Sequence, residues 1–188
     1  MSSLLLTPPA AEPLTLAEAK SFLRVETDED DTLVTALVSA ARLHVEAQTG
    51  LALITQGWRM VLDRWPECGR IAVRPAPLRS VTAARVFDRD GHAQAVDTQG
   101  FVPDMAAMTL AFIPWAMTLP ARIAAGIEID VAVGFGDAAA DVPEPLRHAI
   151  RLLAAHWYEY RGLVAADARA TVPSTVAALL TPYRRLSL

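Results

Sequence analysis

The sequence has little of several features that mark particular classes of protein. It contains one cysteine, Cys68, among 188 residues, so no disulfide can form within the chain and a disulfide-stapled fold is excluded. No apolar run approaches the roughly 20 residues that a membrane-spanning helix needs. Because the opening "MSSLLLTPPAAEP" lacks a basic residue and has only three consecutive leucines, we expect no secretory signal peptide and no membrane partner.

The chain is also nearly balanced in charge. It has 17 basic and 21 acidic residues, a net charge of −4, and only one lysine, Lys20. This balance gives no electrostatic reason to expect free-standing binding to nucleic acid. The hydrophobic fraction of 53% is typical of a globular protein, and the length allows one good core or two small ones.

The first part of the chain has helical periodicity. Thr15 and Glu18 stand at the spacing of a capping box, which predicts a short helix from about residue 16 to 24. An acidic run, residues 26–31, leads into a longer helix that should end at Gly50. That second helix has two adjacent apolar stripes, formed by Leu33, Leu37, Ala40 and His44 and by Val34, Val38, Ala41 and Val45.

The middle of the chain has the alternation and turn residues of strands. Segments such as "RIAVR", "MTLAFIP" and "GIEIDVAVGFG" predict about six short strands, antiparallel because their connections are too short for helical crossovers. Asp90 and Gly91 indicate a hairpin. In "IEIDVAV" the four β-branched residues alternate with Glu128 and Asp130, which predicts one buried face and one wet face.

The last part returns to a helical pattern. A long helix begins near Pro143 and carries an apolar stripe through Leu146, Ile150, Leu153 and Trp157. The order of segments predicts an α+β fold, a helical bundle with an inserted antiparallel β block. Its expected parts are an N-terminal helical part at 1–54, the β insertion at 55–136, a long helix at 137–170 that completes the bundle, and a docking arm at 171–188.

No stretch of the sequence has the pattern of a catalytic, cofactor or metal site. His156 and Glu159 lie three residues apart without a third converging zinc ligand, and the zinc-protease spacing is absent. Gly134 and Gly136 form a lone G-x-G, which we interpret as a turn. The aromatic run "HWYEYR" is either core alone or core plus an interface, because tyrosine and arginine are residue types that concentrate binding energy.

Several stretches together resemble a known family. They are "LTLAEAKSFLRVETDEDDTLVTALVSAARLHVEAQTG", "PLRSVTAARVFDRDG", "VAVGFGDAAADVPEPLRHAIRLLAAHWYEYRG" and "VPSTVAALLTPYRRLSL". In content and order they are similar to the head-to-tail connector (adaptor) proteins of long-tailed phages and phage-like gene transfer agents. The resemblance spans nearly the whole chain and rests on order and context, since none of the segments is a catalytic signature.

The resemblance implies a structural role in a particle neck, without a cofactor. Such proteins form a ring, usually twelve-fold, on the portal protein at the capsid vertex. The ring extends the DNA channel, through which DNA passes transiently, and presents a surface to the next tail-completion (stopper) protein. Assembly is expected in the bacterial cytoplasm. A heterologous contact repeated about an axis closes into such a ring, so each subunit needs two different adhesive faces.

The resemblance also suggests roles for particular residues. The portal-docking candidates are Leu179, Leu180, Tyr183, Arg184, Arg185 and Leu186. The candidates for the contact between subunits are Tyr158, Tyr160 and Arg161. Arg147 and Arg151 are candidates for the channel wall, against the simpler interpretation that they form a solvated face. The segment 171–188 is expected to order only on docking, against the alternative of a terminal helix folded back on its own bundle.

Two other classes of function stay open at the level of sequence. One is a small soluble interaction or tail-completion module outside the connector ring. The other is an enzyme of unrecognised type, which would need a pocket with a convergent pair of groups whose pKa values are perturbed. Gene neighbourhood, between portal and tail genes or elsewhere, would separate these classes.

Overall fold

The computed structural model describes residues 1–105, 107–160 and 172–184. The chain forms two compact units. The first, called here the sheet unit, consists of residues 1–10 and 55–135. The second, the helical unit, consists of residues 11–54 and the described residues from 136 onward. Both helices and antiparallel sheets are present, so the predicted α+β class is confirmed.

The sheet unit contains two antiparallel sheets. A five-stranded sheet has the order β1-β2-β8-β4-β5 and a three-stranded sheet has the order β3-β7-β6. All pairs of named strands are antiparallel, as predicted, and β4 and β5 form the hairpin expected at Asp90 and Gly91. The described residues contain eight strands rather than about six: β1 Ser2–Thr7, β2 Gln56–Leu62, β3 Arg70–Ala72, β4 Leu78–Phe87, β5 Ala93–Ala95, β6 Phe101–Asp104, β7 Thr109–Phe112 and β8 Ile127–Val133.

The first strand was not expected. The sequence pattern assigned residues 1–54 to a helical part, but Ser2–Thr7 pair with β2 from Ser2 opposite Val61 to Thr7 opposite Gly57. Three successive leucines have no helical period, and the serines and threonine around them give no helical stripe. Pairing with β2 gives this segment the backbone partners that a short apolar run cannot find alone.

The central strand β8 has the predicted alternation but not a wet face. Ile127, Ile129, Val131 and Val133 are fully buried. On the other side, Asp130 is also buried, because Arg59 of β2 and Arg85 of β4 both donate to its carboxylate, Arg59 Nε at 2.7 Å and Arg85 Nη2 at 2.5 Å. Both arginines also approach Glu128 at 3.2 Å. The polar face of β8 is therefore an ion-pair network across three strands.

The helical unit begins with the predicted capping box. Thr15 Oγ1 accepts from the Glu18 amide at 3.2 Å, and Glu18 Oε2 accepts from the Thr15 amide at 2.9 Å. The second helix ends at Gly50, which has the left-handed φ of 70° that favours glycine after a helix. The helices are α1 Leu16–Leu23, α2 Asp31–Thr49, α3 Glu144–Glu159 and α4 Ser174–Leu180. None of the helices in these described ranges has both the length and the apolar character needed to cross a bilayer.

The core of the helical unit is formed by α2, α3 and α4. The stripe Val34, Val38, Ala41 and Val45 of α2 is buried, whereas the stripe that begins at Leu33 is not. On α3 the predicted stripe is fully buried at Leu146, Ile150 and Leu153. Trp157 continues this stripe but is only half-buried, with its indole at the edge of the His44 ring. Trp157 was expected in the core, and this is corrected: it lies at the end of the interface between α2 and α3.

The C-terminal segment is part of this core. Val176 and Leu180 of α4 are fully buried, and α4 packs against α3. This corrects the expectation of a docking arm for residues 172–184 and supports the alternative of a helix folded back on its bundle. The physical reason is that α3 offers α4 an apolar surface within the same unit, so ordering α4 does not need a second protein.

We predict that the two adjacent leucines of α4 differ in their effect on stability. Leu180→Ala should lower the free energy of unfolding by about 2–5 kcal/mol, because it leaves a cavity in the helical core. Leu179→Ala, at a half-buried position, should cost less than half as much. Chemical denaturation of both variants measures the difference, and equal losses would contradict the folded-back helix.

A second prediction concerns the network on β8. Hydrogen bonds from Arg59, followed by the charges of Arg85 and Arg59, hold the pKa of Asp130 below its ordinary value. Asp130→Asn should therefore cost about 1.5–3 kcal/mol at neutral pH, the usual worth of hydrogen bonds to a charged group. A carboxylate with a depressed folded-state pKa stabilises the protein above its unfolded-state pKa, and this stability is lost as the pH falls through the folded-state pKa.

The difference in the free energy of unfolding between the wild type and Asp130→Asn should accordingly become smaller as the pH is lowered. Denaturant titrations at several pH values measure this difference. The exposed hairpin residue Asp88 also has a lowered pKa, chiefly through the backbone amide of His92, and provides a control. Asp88→Asn should have a much smaller effect than Asp130→Asn. A difference between the wild type and Asp130→Asn that does not change with pH would contradict the stabilising role of the charged Asp130 carboxylate.

Candidate docking surface

Arg147 connects three parts of the helical unit. Its guanidinium donates to Glu18 of α1 at 2.7 Å, to Glu144 at 3.1 Å and to the carbonyl oxygen of Pro13 at 3.0 Å. Arg151, one turn further along α3, donates to Glu144. The side chains of Arg147 and Arg151 are only 14% and 17% exposed. The prediction that they face a channel is corrected: Arg147 links α3 to α1, and Arg151 pairs with Glu144 of its own helix.

The carboxylates of this cluster are stabilised in their charged form. The pKa of Glu18 is lowered first by the Thr15 amide, then by the Thr15 hydroxyl, with a further contribution from Arg147. The pKa of Glu144 is lowered chiefly by its hydrogen bond from Arg151. Since the two arginines are matched by carboxylates of the same unit, the cluster holds α1 against α3 and has little charge left for an anionic ligand.

A further buried arginine was missed in the sequence. Arg42 of α2 donates to Glu12 at 2.8 Å and to Glu46 at 2.7 Å, and Glu46 also accepts from the amide of Leu53. The signal available in the sequence was the i,i+4 pair of Arg42 and Glu46 on α2. The role of Glu12 could not be read, because it lies outside that helix.

The tyrosines predicted to form a subunit contact have different environments. The hydroxyl of Tyr158 lies 2.5 Å from a carboxylate oxygen of Asp30 and is part-buried, so it ties α3 to the start of α2. Tyr160 is 48% exposed, and its ring packs on His156 at 4.8 Å between ring centroids. Tyr160 therefore remains available to a partner, whereas Tyr158 is engaged within the unit. Arg161 lies outside the described residues.

An open apolar groove runs between α3 and α4. It has a volume of about 710 Å³, and a half-buried Leu179 and Tyr183 are among the residues that line it. The predicted docking residues Leu179 and Tyr183 thus share one surface with α3. The other lining residues are Pro145, His148, Leu152, Thr175, Ala178 and Pro182.

The remaining docking candidates do not line this groove. Leu180 is fully buried beneath it, so its predicted docking role is corrected to a role in the core. Arg184 donates to Gln48 of α2 at 2.8 Å. Arg185 and Leu186 lie outside the described residues. Of the predicted docking residues, the structure therefore brings together Leu179 and Tyr183, which both line the groove.

The sheet unit has its own exposed apolar surface. Between β7 and β8 a long loop carries three large side chains with very little cover, Trp115 at 89% exposed, Leu119 at 77% and Ile123 at 96%. Residues 105–127 contain no acidic residue and one basic residue, Arg122. No site was predicted here from the sequence, although an apolar loop with a single charged residue is a signal for a protein contact.

Metal-binding residue types come together at one place in the described ranges. Asp88, Asp90 and His92 have ligand atoms within 4.8 Å of one another at the tip of the β4–β5 hairpin, and all three are exposed. Asp88 accepts from the amides of Asp90 and His92 at 2.9 Å, so its carboxylate closes the turn. This arrangement accounts for the cluster as a capped hairpin.

His156 and Glu159, considered above as zinc ligands, occupy the last turn of α3. His156 packs on Tyr160, and Glu159 is exposed. Neither residue is part of the metal-ligand grouping described above. His156 therefore makes a packing contact at the end of α3.

Comparison with known proteins identifies the family. A family model of phage gp6-like head-tail connector proteins matches residues 13–75. A chain in the neck of an empty gene transfer agent particle, with C6 symmetry, is 31% identical, with a TM-score of 0.82. A chain in the neck of a native gene transfer agent particle, with C12 symmetry, is also 31% identical, with a TM-score of 0.80.

A third similar chain comes from the virion of a native gene transfer agent particle, at 31% identity and a TM-score of 0.79. In all three cases the alignment covers 100% of this chain and 97% of the other. A comparison with curated proteins finds no match. The connector family model matches residues 13–75, and the similarity to the neck chains extends over the whole length of this chain, so the chain belongs to the phage gp6-like head-tail connector family.

Proposed function

We propose that the chain is a subunit of a ring that sits on the portal protein and joins the capsid head to the tail. The observation that carries this proposal is the full-length similarity to chains in particle necks with C6 and C12 symmetry. A twelve-fold ring would continue the DNA channel from the portal and present a surface to a tail-completion protein. Its subunits would be made and assembled in the bacterial cytoplasm before DNA passes through.

The ring would conduct DNA without retaining it. Retention requires several cationic groups free to contact phosphates, and each such contact adds to affinity. Here the net charge is −4, and Arg147 and Arg151 are already matched by Glu18 and Glu144. A channel built from such subunits favours sliding. The same family membership supports a structural role without catalytic turnover.

The groove between α3 and α4 is the proposed portal-docking surface. Its lining is mostly apolar and includes an aromatic residue, Tyr183, which is typical of the buried centre of a protein interface. A connector needs a second partner surface, and the exposed loop with Trp115, Leu119 and Ile123 is the proposed contact for the tail-completion protein.

We predict that Leu179→Asp blocks attachment to portal-bearing heads and leaves the fold intact. The substitution places a charge in an apolar interface, while Leu179 contributes little to the core of the free protein. Attachment is measured by co-sedimentation of the purified chain with DNA-filled, tail-less heads. Leu43→Asp, at an exposed leucine of α2, is the matched control and should bind as the wild type does.

Normal attachment of a folded Leu179→Asp variant would exclude the groove as the docking surface. If Leu43→Asp also failed to attach, the effect would come from added negative charge rather than from the groove. Electron microscopy of the reconstituted neck would then test the ring itself, independently of which residues contact the portal.

Tyr160 is the proposed subunit contact on α3. Tyr160→Ala should leave the melting temperature nearly unchanged but reduce the fraction of heads that carry a complete ring in electron micrographs. Tyr158→Ala should lower the melting temperature, because it removes the hydrogen bond to Asp30 within the helical unit. A stability loss for Tyr160→Ala as large as that for Tyr158→Ala would contradict this division of roles.

A further inference from the structure

The outer strand of the five-stranded sheet has an open edge. β1 pairs with β2 on one side and ends the sheet on the other. Alternate residues of an edge strand point their amide and carbonyl groups outward, where another strand can pair with them. The side chains on both faces are also uncovered, since Leu4, Leu5 and Leu6 are 54%, 48% and 46% exposed. β1 therefore offers both hydrogen-bonding groups and apolar area.

The other sheet edges among the described residues are protected. β5 and β3 are only three residues long, and a short edge strand is a poor template for pairing. β6 contains Pro103, which has no amide hydrogen, and ends in Asp104. By contrast, β1 has six residues, with neither a charge nor a proline. Its ladder with β2 shifts register between Leu5 and Thr7, which leaves residues 2–5 as the regular part of the edge.

We propose that in the free protein β1 pairs antiparallel with β1 of a second copy, across a twofold axis, so that two five-stranded sheets become one. An added strand is the occupant that satisfies the outward backbone groups. The protected edges of this chain are poor partners for a head-to-tail pairing between copies. An isologous contact needs one surface only, used by both copies.

The symmetry of an antiparallel pair fits this contact. In an antiparallel pair, two residues that lie opposite each other both direct their amide and carbonyl groups toward the partner strand, or both direct them away from it. The twofold axis therefore has to pass between one residue and the same residue of the second copy. Leucines occupy three successive positions of the six-residue strand. Whether the axis passes at Leu4 or at Leu5, leucine faces leucine, which is a favourable apolar cross-strand pair.

This dimer is distinct from the proposed ring. A twofold contact is complete with two copies, so it cannot extend into a head-to-tail ring. The inference concerns the protein before it joins a particle and does not rest on the proposed function. Dimerisation would cover the apolar edge, which otherwise exposes the free protein to unspecific strand pairing.

Sedimentation equilibrium of the full chain tests the proposal. The wild type should show a reversible monomer–dimer equilibrium, and Leu5→Lys should weaken dimerisation by roughly tenfold or more, since charged edge residues oppose strand addition. Leu43→Lys makes the same chemical change at a similarly exposed leucine of α2 and should dimerise as the wild type does. Circular dichroism verifies that the variants are folded, and Leu5→Thr replaces Leu5→Lys if the lysine variant is not.

Hydrogen exchange of the wild type gives a readout that needs no variant. Protection of the amides of residues 2–7 should rise with protein concentration, while that of the short edge strand β5 should not. A wild type that stays monomeric, a dimer that survives in folded Leu5→Lys, or protection independent of concentration would overturn the proposal. A larger oligomer that Leu5→Lys leaves intact would also overturn it, whereas ring formation on heads is measured separately.

Discussion

The packing of α3 is the interaction on which the helical unit is built. Its stripe of Leu146, Ile150 and Leu153 is fully buried, and α1, α2 and α4 all contact this one helix. The same helix carries Arg147, whose hydrogen bonds to Glu18 and to the carbonyl oxygen of Pro13 fix α1 and the segment before it. Helices as short as α1 and α4 are marginal on their own in water, so they are held by this tertiary contact.

Several arginines of this protein are neutralised by carboxylates of their own unit. Arg59 and Arg85 meet Asp130 and Glu128 across the central strands of the sheet. In the helical unit Arg42, Arg147 and Arg151 are matched by carboxylates in the same way. Arginines that looked like candidates for anion binding in the sequence are therefore structural. Three exposed surfaces are mainly apolar: the groove between α3 and α4, the loop around Trp115 and the edge of β1.

This distribution fits a protein that works by contact. A member of the head-tail connector family has to join other proteins, and such contacts concentrate their energy in a few apolar and aromatic side chains. The groove with Leu179 and Tyr183, the exposed Tyr160 and the loop around Trp115 are surfaces of that kind. They lie on different elements of the fold.

Local patterns determined much of this structure. The capping box at Thr15, the glycine that ends α2, the hairpin at Asp90 and Gly91 and the alternation of β8 were all readable in the sequence, because each depends on residues close together in the chain. The order of its segments was also enough to indicate the connector family. These features follow from periodicity and turn chemistry, which tertiary packing did not override.

Long-range packing decided the rest. Residues 2–7 became a strand because β2, more than fifty positions later, supplies a hydrogen-bonding edge. Arg147 became a crosslink because α3 packs on α1, and Leu180 became core because α4 lies on α3. Whether a side chain is buried, paired or free depends on neighbours that are distant in sequence. Local spacing carries no information about those neighbours, so only the tertiary structure could separate core residues from exposed ones.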